Sequence, residues 1–126
     1  MRIALDAMGT DSAPFHEVEG AVKALRRFQR DCEIILVGDR ERIEAALAEH
    51  SEFPEERVTV VHAPDRIVPG EPPAVAVRKK PNSSIVVGVK LHKEGEADAF
   101  VSAGSTGAVM ASSLLFLRPL TGVDRP

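Results

Sequence analysis

A chain of 126 residues is long enough for one domain with its own core, and 44% hydrophobic with 28% charged residues is the balance of a globular protein. A net charge of -3 and an aromatic set of five Phe, without Trp or Tyr, argue against a nucleic-acid surface, electrostatic or stacking. The single cysteine, Cys32, excludes an intramolecular disulfide framework, no apolar run approaches bilayer length, and the N-terminus reaches Asp6 too soon for a secretion signal, so a cytoplasmic protein is expected.

In chain order, Ile3, Ala4 and Leu5 form an apolar run that predicts a buried parallel strand. A loop follows to Pro14, which suits a helix start. Val18, Val22, Leu25 and Phe28 then draw an amphipathic stripe, with Lys23, Arg26, Arg27 and Arg30 around it. Those cations are read as a solvated face, with docking of an acidic carrier protein as the lesser alternative. Residues 34–37 predict the second strand. Gly38 and Asp39 turn it into a helix carrying Ile43, Ala46 and Leu47. Residues 58–61 predict the third strand. Five prolines and glycines make residues 63–73 a loop, and Pro81 ends a short helix over 74–80. Asn82 or Ser83 caps a helix through Ile85, Val86 and Val89, which Gly95 ends. Residues 99–102 predict the fourth strand and residues 103–107 a tight turn of small residues. An apolar helix with Val109, Met110, Leu114 and Leu117 comes last. No helix is expected to carry the strongly apolar face of an interfacial anchor.

This alternation predicts an α/β fold: an open, mainly parallel Rossmann-like sheet with helices on both faces. Ligands of such sheets sit beyond the carboxyl ends of the strands. The loops after strands one and four leave that edge, so Asp6, Asp11, Ser102 and Thr106 are expected to face one cleft. A strand-to-helix turn there aims helix-start amides at an anion such as phosphate, and Ser102, Ser105 and Thr106 add hydroxyl donors. The competing reading is a plain connection. Asp6 and Asp11 suit binding a metal, orienting a base or holding a loop; an Asx turn or a cap is the alternative. Gly9 implies a positive φ or a close approach. Asp39 reads as a cap, because no G-x-G-x-x-G surrounds it and a dinucleotide site is unsupported. Arg78, Lys79 and Lys80 before Asn82 and Ser83 suit a phosphate or an acidic partner as well as a solvated basic turn. The four histidines have no metal-ligand spacing, and His16 alone lies near the first loop as an acid or base candidate. Cys32 reads as a core or edge residue.

Four stretches carry a resemblance. They are residues 3–14, residues 36–39, residues 76–84 and residues 97–108, the first and last being specific in combination. With them the chain resembles the N-terminal part of the bacterial phosphate acyltransferases, the acyl-carrier-protein:phosphate acyltransferases known as PlsX. It departs from their usual pattern at Thr10 (commonly glycine), Ser12 (commonly histidine) and Ser105 (commonly asparagine).

The resemblance implies a fold similar to the isocitrate and isopropylmalate dehydrogenases, with residues 1–126 the first part of a single α/β acyltransferase domain. It implies that inorganic phosphate attacks the thioester of a fatty acyl–acyl carrier protein. The resulting acyl phosphate feeds phospholipid synthesis through a membrane-bound glycerol-3-phosphate acyltransferase. Phosphate is itself the nucleophile, so no activated Cys or Ser is required; no cofactor is expected, and no spacing in the sequence suggests a metal. A homodimer is implied, cytoplasmic or peripheral at the inner face of the membrane. Gly104, Ser105, Thr106 and Gly107 are expected to hold phosphate, with Ser102, Lys80, Asn82 and Ser83 beside them. Asp6, Gly9 and Asp11 are expected at the cleft rim, the two aspartates orienting. Two alternatives stand beside this reading. One is a phosphotransacetylase-like enzyme using acyl-coenzyme A, and the other is a non-catalytic module binding phosphate or a partner. The run from Arg118 to Pro126 reads as a helix exit toward a further strand, so the chain is expected to be a fragment. Alone it is expected to be inactive and prone to associate.

Overall fold

The computed structural model describes residues 1–28 and 32–123. Arg30, counted among the cations of the first helix, and the end of the expected exit loop, Asp124, Arg125 and Pro126, lie outside the described residues.

Four strands make one sheet in the order β3-β2-β1-β4. They are β1 (Arg2–Asp6), β2 (Glu33–Gly38), β3 (Val58–His62) and β4 (Ala99–Val101). Every pairing is parallel, with Leu5 opposite Leu36 on one side and Val101 on the other. The expected α/β architecture is therefore observed. The helices are α1 (Phe15–Arg27), α2 (Arg40–Ala48), α3 (Pro73–Lys79), α4 (Ser84–Lys93) and α5 (Thr106–Phe116).

Strand alternation assigns the two faces. Ile34 and Leu36 point toward α1 and α2, where they meet Val18, Leu25 and Ile43. Ala4, Ile35 and Val37 point to the opposite face, with Leu91 of α4. A third cluster, Ile67, Val77, Ile85, Val86 and Ala108, joins α3, α4 and α5. Each fully buried Val or Leu contributes about 1.5–3 kcal/mol relative to exposure. Cys32 is buried in the first cluster.

The local signals act as expected at the caps. Asp39 accepts from the Arg42 amide at 3.1 Å and opens α2. Ser83 rather than Asn82 caps α4, accepting from Val86. Gly88 lets α4 lie directly on β4: a Cβ there would stand 2.2 Å from the Phe100 ring.

One expectation is corrected. Phe28 lies beyond the last turn of α1 and is 57% exposed, because the chain leaves the helix at Arg27 and the stripe ends at Leu25. Arg57 reaches over to this exit and donates to the carbonyls of Leu25 and Phe28. The α1 cations Lys23, Arg26 and Arg27 are exposed, as expected; Arg26 also donates to the carbonyls of Ser51 and Glu52, and Lys23 pairs with Glu19. In α5 the small residues Ala108 and Ser112 face inward, while Met110, Leu114 and Leu115, with Leu117 just past its end, are exposed. Apolar on all sides and without an opposing charged face, α5 is not the amphipathic anchor that the sequence reading set aside. No helix among the described residues is long and apolar enough to cross a membrane.

Candidate functional site

Because β1 and β4 are neighbours and parallel, their following loops leave the same edge side by side. Asp6 ends β1 and Ser102 follows β4. The Ser102 hydroxyl donates to Asp6 Oδ2 at 2.6 Å, and the Gly104 amide donates to Ser102 Oγ at 3.0 Å. The Met8 amide donates to Asp6 Oδ1 at 3.0 Å. One buried carboxylate thus fixes both loops. Asp6 is 1% exposed, so it forms the floor of the edge and not its rim. The Ser102 proton is committed to Asp6, which makes Ser102 a brace for the turn and removes it from the expected hydroxyl donors.

Gly9 lies against Gly104. A Cβ built on Gly9 would stand 2.8 Å from the Gly104 nitrogen and 3.1 Å from the Ala103 carbonyl carbon. Gly9 is not among the glycines of positive φ, so close approach is its reason, and the approach is to backbone. The two loops touch without side chains between them.

The turn then enters α5. Ser105 is the cap: its side chain accepts from the Ala108 amide at 3.3 Å and its carbonyl from Val109 at 3.0 Å. Thr106 and Gly107 supply the first two helix amides, which have no acceptor within a helix. Thr106 is exposed, and Gly107 packs against Pro73 at the start of α3. The positive end of the α5 dipole and these amides make an anion-favouring corner beside the braced turn.

The residues expected from the basic stretch are placed differently. Lys80 Nζ lies 2.7 Å from Glu71 Oε1 and donates to the Arg66 carbonyl at 2.8 Å. Its hydrogen bond holds the Glu71 carboxyl below the usual range, with the Val68 amide adding to the effect. Lys80 therefore braces the loop before α3. Ser83 is fully buried as the α4 cap and has no surface to offer a ligand. Asn82 is exposed and its carbonyl accepts from the Asp65 amide. Asp11 is exposed in the first loop. His16 is exposed at the start of α1.

Two residues went unread in the sequence. Glu17 is 7% exposed, and its Oε1 accepts from the Thr10 amide at 2.7 Å. A carboxylate next to the buried stripe of α1 was the available signal, since a buried acid needs a donor. Arg66 donates to the Thr10 carbonyl at 2.8 Å across 56 residues, and no local pattern announces such a contact.

Comparison with known proteins gives the chain its relatives. The family model described as fatty acid synthesis protein matches residues 1–126. The chain is 54% identical over 126 residues to a phosphate acyltransferase of Desulfitobacterium hafniense, covering all of this chain and 36% of the relative. It is 50% identical over 125 residues to a phosphate acyltransferase of Salinibacter ruber, covering 99% of this chain and 37% of the relative. A phosphate acyltransferase of Alkaliphilus oremlandii is 46% identical over 126 residues, again with 37% of its length covered. The chain thus spans little more than a third of these relatives, and its whole length takes part in the match. With its parallel sheet and braced strand-to-helix turn, the chain belongs to the fatty acid synthesis protein family.

Proposed function

We propose that the complete protein is a phosphate acyltransferase. It makes acyl phosphate from a fatty acyl–acyl carrier protein and inorganic phosphate, as a step of phospholipid synthesis. The observation that carries the reading is the Asp6–Ser102–Gly104 brace, which sets the opening amides of α5 at the carboxyl edge of the sheet. Relatives named phosphate acyltransferase, similar across the whole chain, supply the reaction class.

The chemistry is a positioning problem. A phosphate oxygen attacks the thioester carbonyl carbon and forms a C–O bond. The tetrahedral oxyanion collapses, the C–S bond breaks, and the carrier thiolate leaves and takes a proton from solvent. The Thr106 and Gly107 amides and the Ser105 and Thr106 hydroxyls hold the phosphate. Asp6 and Ser102 fix the turn, and Gly9 allows the first loop to close on Gly104. Asp11 and Asn82, both exposed, stand at the rim, while Lys80 acts from beneath by bracing the loop of Arg66 and Glu71. Fixed donors of this kind need no reorganisation as charge develops. The working protein is a homodimer acting in the cytoplasm or at the inner membrane face, and its product passes to a membrane-bound glycerol-3-phosphate acyltransferase.

The test is phosphate-dependent release of free carrier protein from palmitoyl–acyl carrier protein by the complete gene product, with palmitoyl-coenzyme A as the parallel donor. Release that needs both phosphate and the carrier-protein donor is the expected result. Release from the coenzyme A thioester alone moves the reading to a phosphotransacetylase-like enzyme. No release from either donor moves it to a binding module.

A further inference from the structure

We infer that Glu17 and Arg66 are positioning residues that grip the Thr10 backbone on both sides, one at its amide and the other at its carbonyl, and so hold the first loop against the anion turn. The kinetic consequence rests on the phosphate acyltransferase reading above; the geometric one does not. The Thr10 amide donates to Glu17 Oε1 at 2.7 Å, and the Thr10 carbonyl accepts from Arg66 Nη2 at 2.8 Å. The Thr10 amide belongs to the Gly9–Thr10 peptide, and Gly9 lies on the Gly104 backbone with no room for a Cβ. A Gly9–Thr10 peptide that shifts by a few tenths of an ångström therefore either presses on the Gly104 amide or parts from it. That amide is the donor that ties the turn to Ser102 and through it to Asp6.

Both jaws are anchored. Glu17 stands on α1 next to Val18, which is fully buried in the core under β1 and β2. Arg66 is held by its own carbonyl, which accepts from Lys80 Nζ at 2.8 Å, and Lys80 is held in turn by Glu71. The line Glu17, Thr10, Arg66, Lys80, Glu71 thus runs from α1 to the end of α3 under the first loop. Glu17 Oε2 and Thr10 Oγ1 are buried without a partner among the described residues. A buried carboxylate kept with one oxygen unpaired calls for a reason, and the grip on Thr10 supplies it.

The experiment uses the complete gene product with Glu17→Leu, Arg66→Met and the conservative Glu17→Gln, which keeps an acceptor for the Thr10 amide. Site-resolved amide hydrogen exchange is read without phosphate, and the Michaelis constants for phosphate and acyl donor are read separately. Glu17→Leu and Arg66→Met are expected to speed exchange at Thr10 and Gly104 about tenfold while the central strand β2 keeps its protection. They are expected to raise the phosphate constant about tenfold with little change in the donor constant, and Glu17→Gln to stay within about twofold of the parent. A local effect at Gly104 is what a merely structural role in α1 would not produce. Unchanged exchange at Gly104, or exchange that rises equally in β2, overturns the clamp. So does an unchanged phosphate constant in a parent protein that is active. If the parent shows no phosphate-dependent release, the reaction reading fails and the exchange result alone decides the clamp.

Discussion

The Ser102 hydroxyl donates to the Asp6 carboxylate at 2.6 Å although the two residues stand 96 positions apart in the sequence. That bond ties the end of β1 to the turn after β4; its Asp6 end is buried and its Ser102 end half-buried. Ser102→Ala removes the hydroxyl and leaves both Asp6 Oδ2 and the Gly104 amide without this partner. The expected cost is about 2 kcal/mol of stability, the typical penalty for a stranded buried polar group. A denaturant midpoint lowered with unchanged slope checks it. The phosphate constant of the complete protein is expected to rise in parallel.

Gly9→Ala tests the contact of the two loops. The added Cβ would meet backbone at 2.8 Å, and backbone cannot swing aside as a side chain does. The loops must part, at about 1–3 kcal/mol. Slower turnover at ordinary phosphate, restored by raised phosphate, is the expected kinetic signature; unchanged kinetics would show that the closeness of the loops is not needed.

Gly88→Ala probes the fold without touching the site. Alanine gains about 1 kcal/mol in helix propensity. The Phe100 ring, 2.2 Å from the new Cβ, must move, and overpacking of this kind costs about 1–3 kcal/mol. Net destabilisation is expected, and Phe100→Leu in the same chain should relieve part of it. A double-mutant cycle with no coupling between the two positions would contradict the packing.

The strands and caps were legible because their signals are local. Residues 34–37 read as a strand from a short apolar run in which three of four side chains are β-branched, and Asp39 and Ser83 cap helices as their types predict. Topology then placed Asp6 and Ser102 on one edge before any coordinate did. The facing of α5 was not legible: it is apolar all round, and periodicity cannot choose a side when every side qualifies. Packing chose the small residues Ala108 and Ser112 as the inner face. The Arg66–Thr10 contact was hidden for another reason, since a hydrogen bond between an arginine and a carbonyl 56 residues away leaves no spacing to read.

The Lys80–Glu71 pair should make the loop before α3 sensitive to acid. Glu71 has its folded pKa held below the ordinary value of 4.5, chiefly by the Lys80 hydrogen bond and then by the Val68 amide. A depressed carboxylate contributes its stability above the unfolded value and loses it as pH falls through the folded one. The parent and Glu71→Gln are therefore expected to differ in unfolding midpoint near neutral pH and to converge below pH 4.5. A gap that persists undiminished well into acid would contradict the pairing.

The most direct measurement is the Michaelis constant for phosphate of Thr106→Ala in the complete protein, with palmitoyl–acyl carrier protein as donor. Thr106 is exposed at the first position of α5, so its loss should leave the fold intact. A hydrogen bond to a charged group contributes about 1.5–3 kcal/mol, which corresponds to a rise of roughly tenfold or more. A rise of that size with the donor constant unchanged is the predicted result. An unchanged phosphate constant in an active enzyme would place the phosphate elsewhere and contradict the account of the α5 turn.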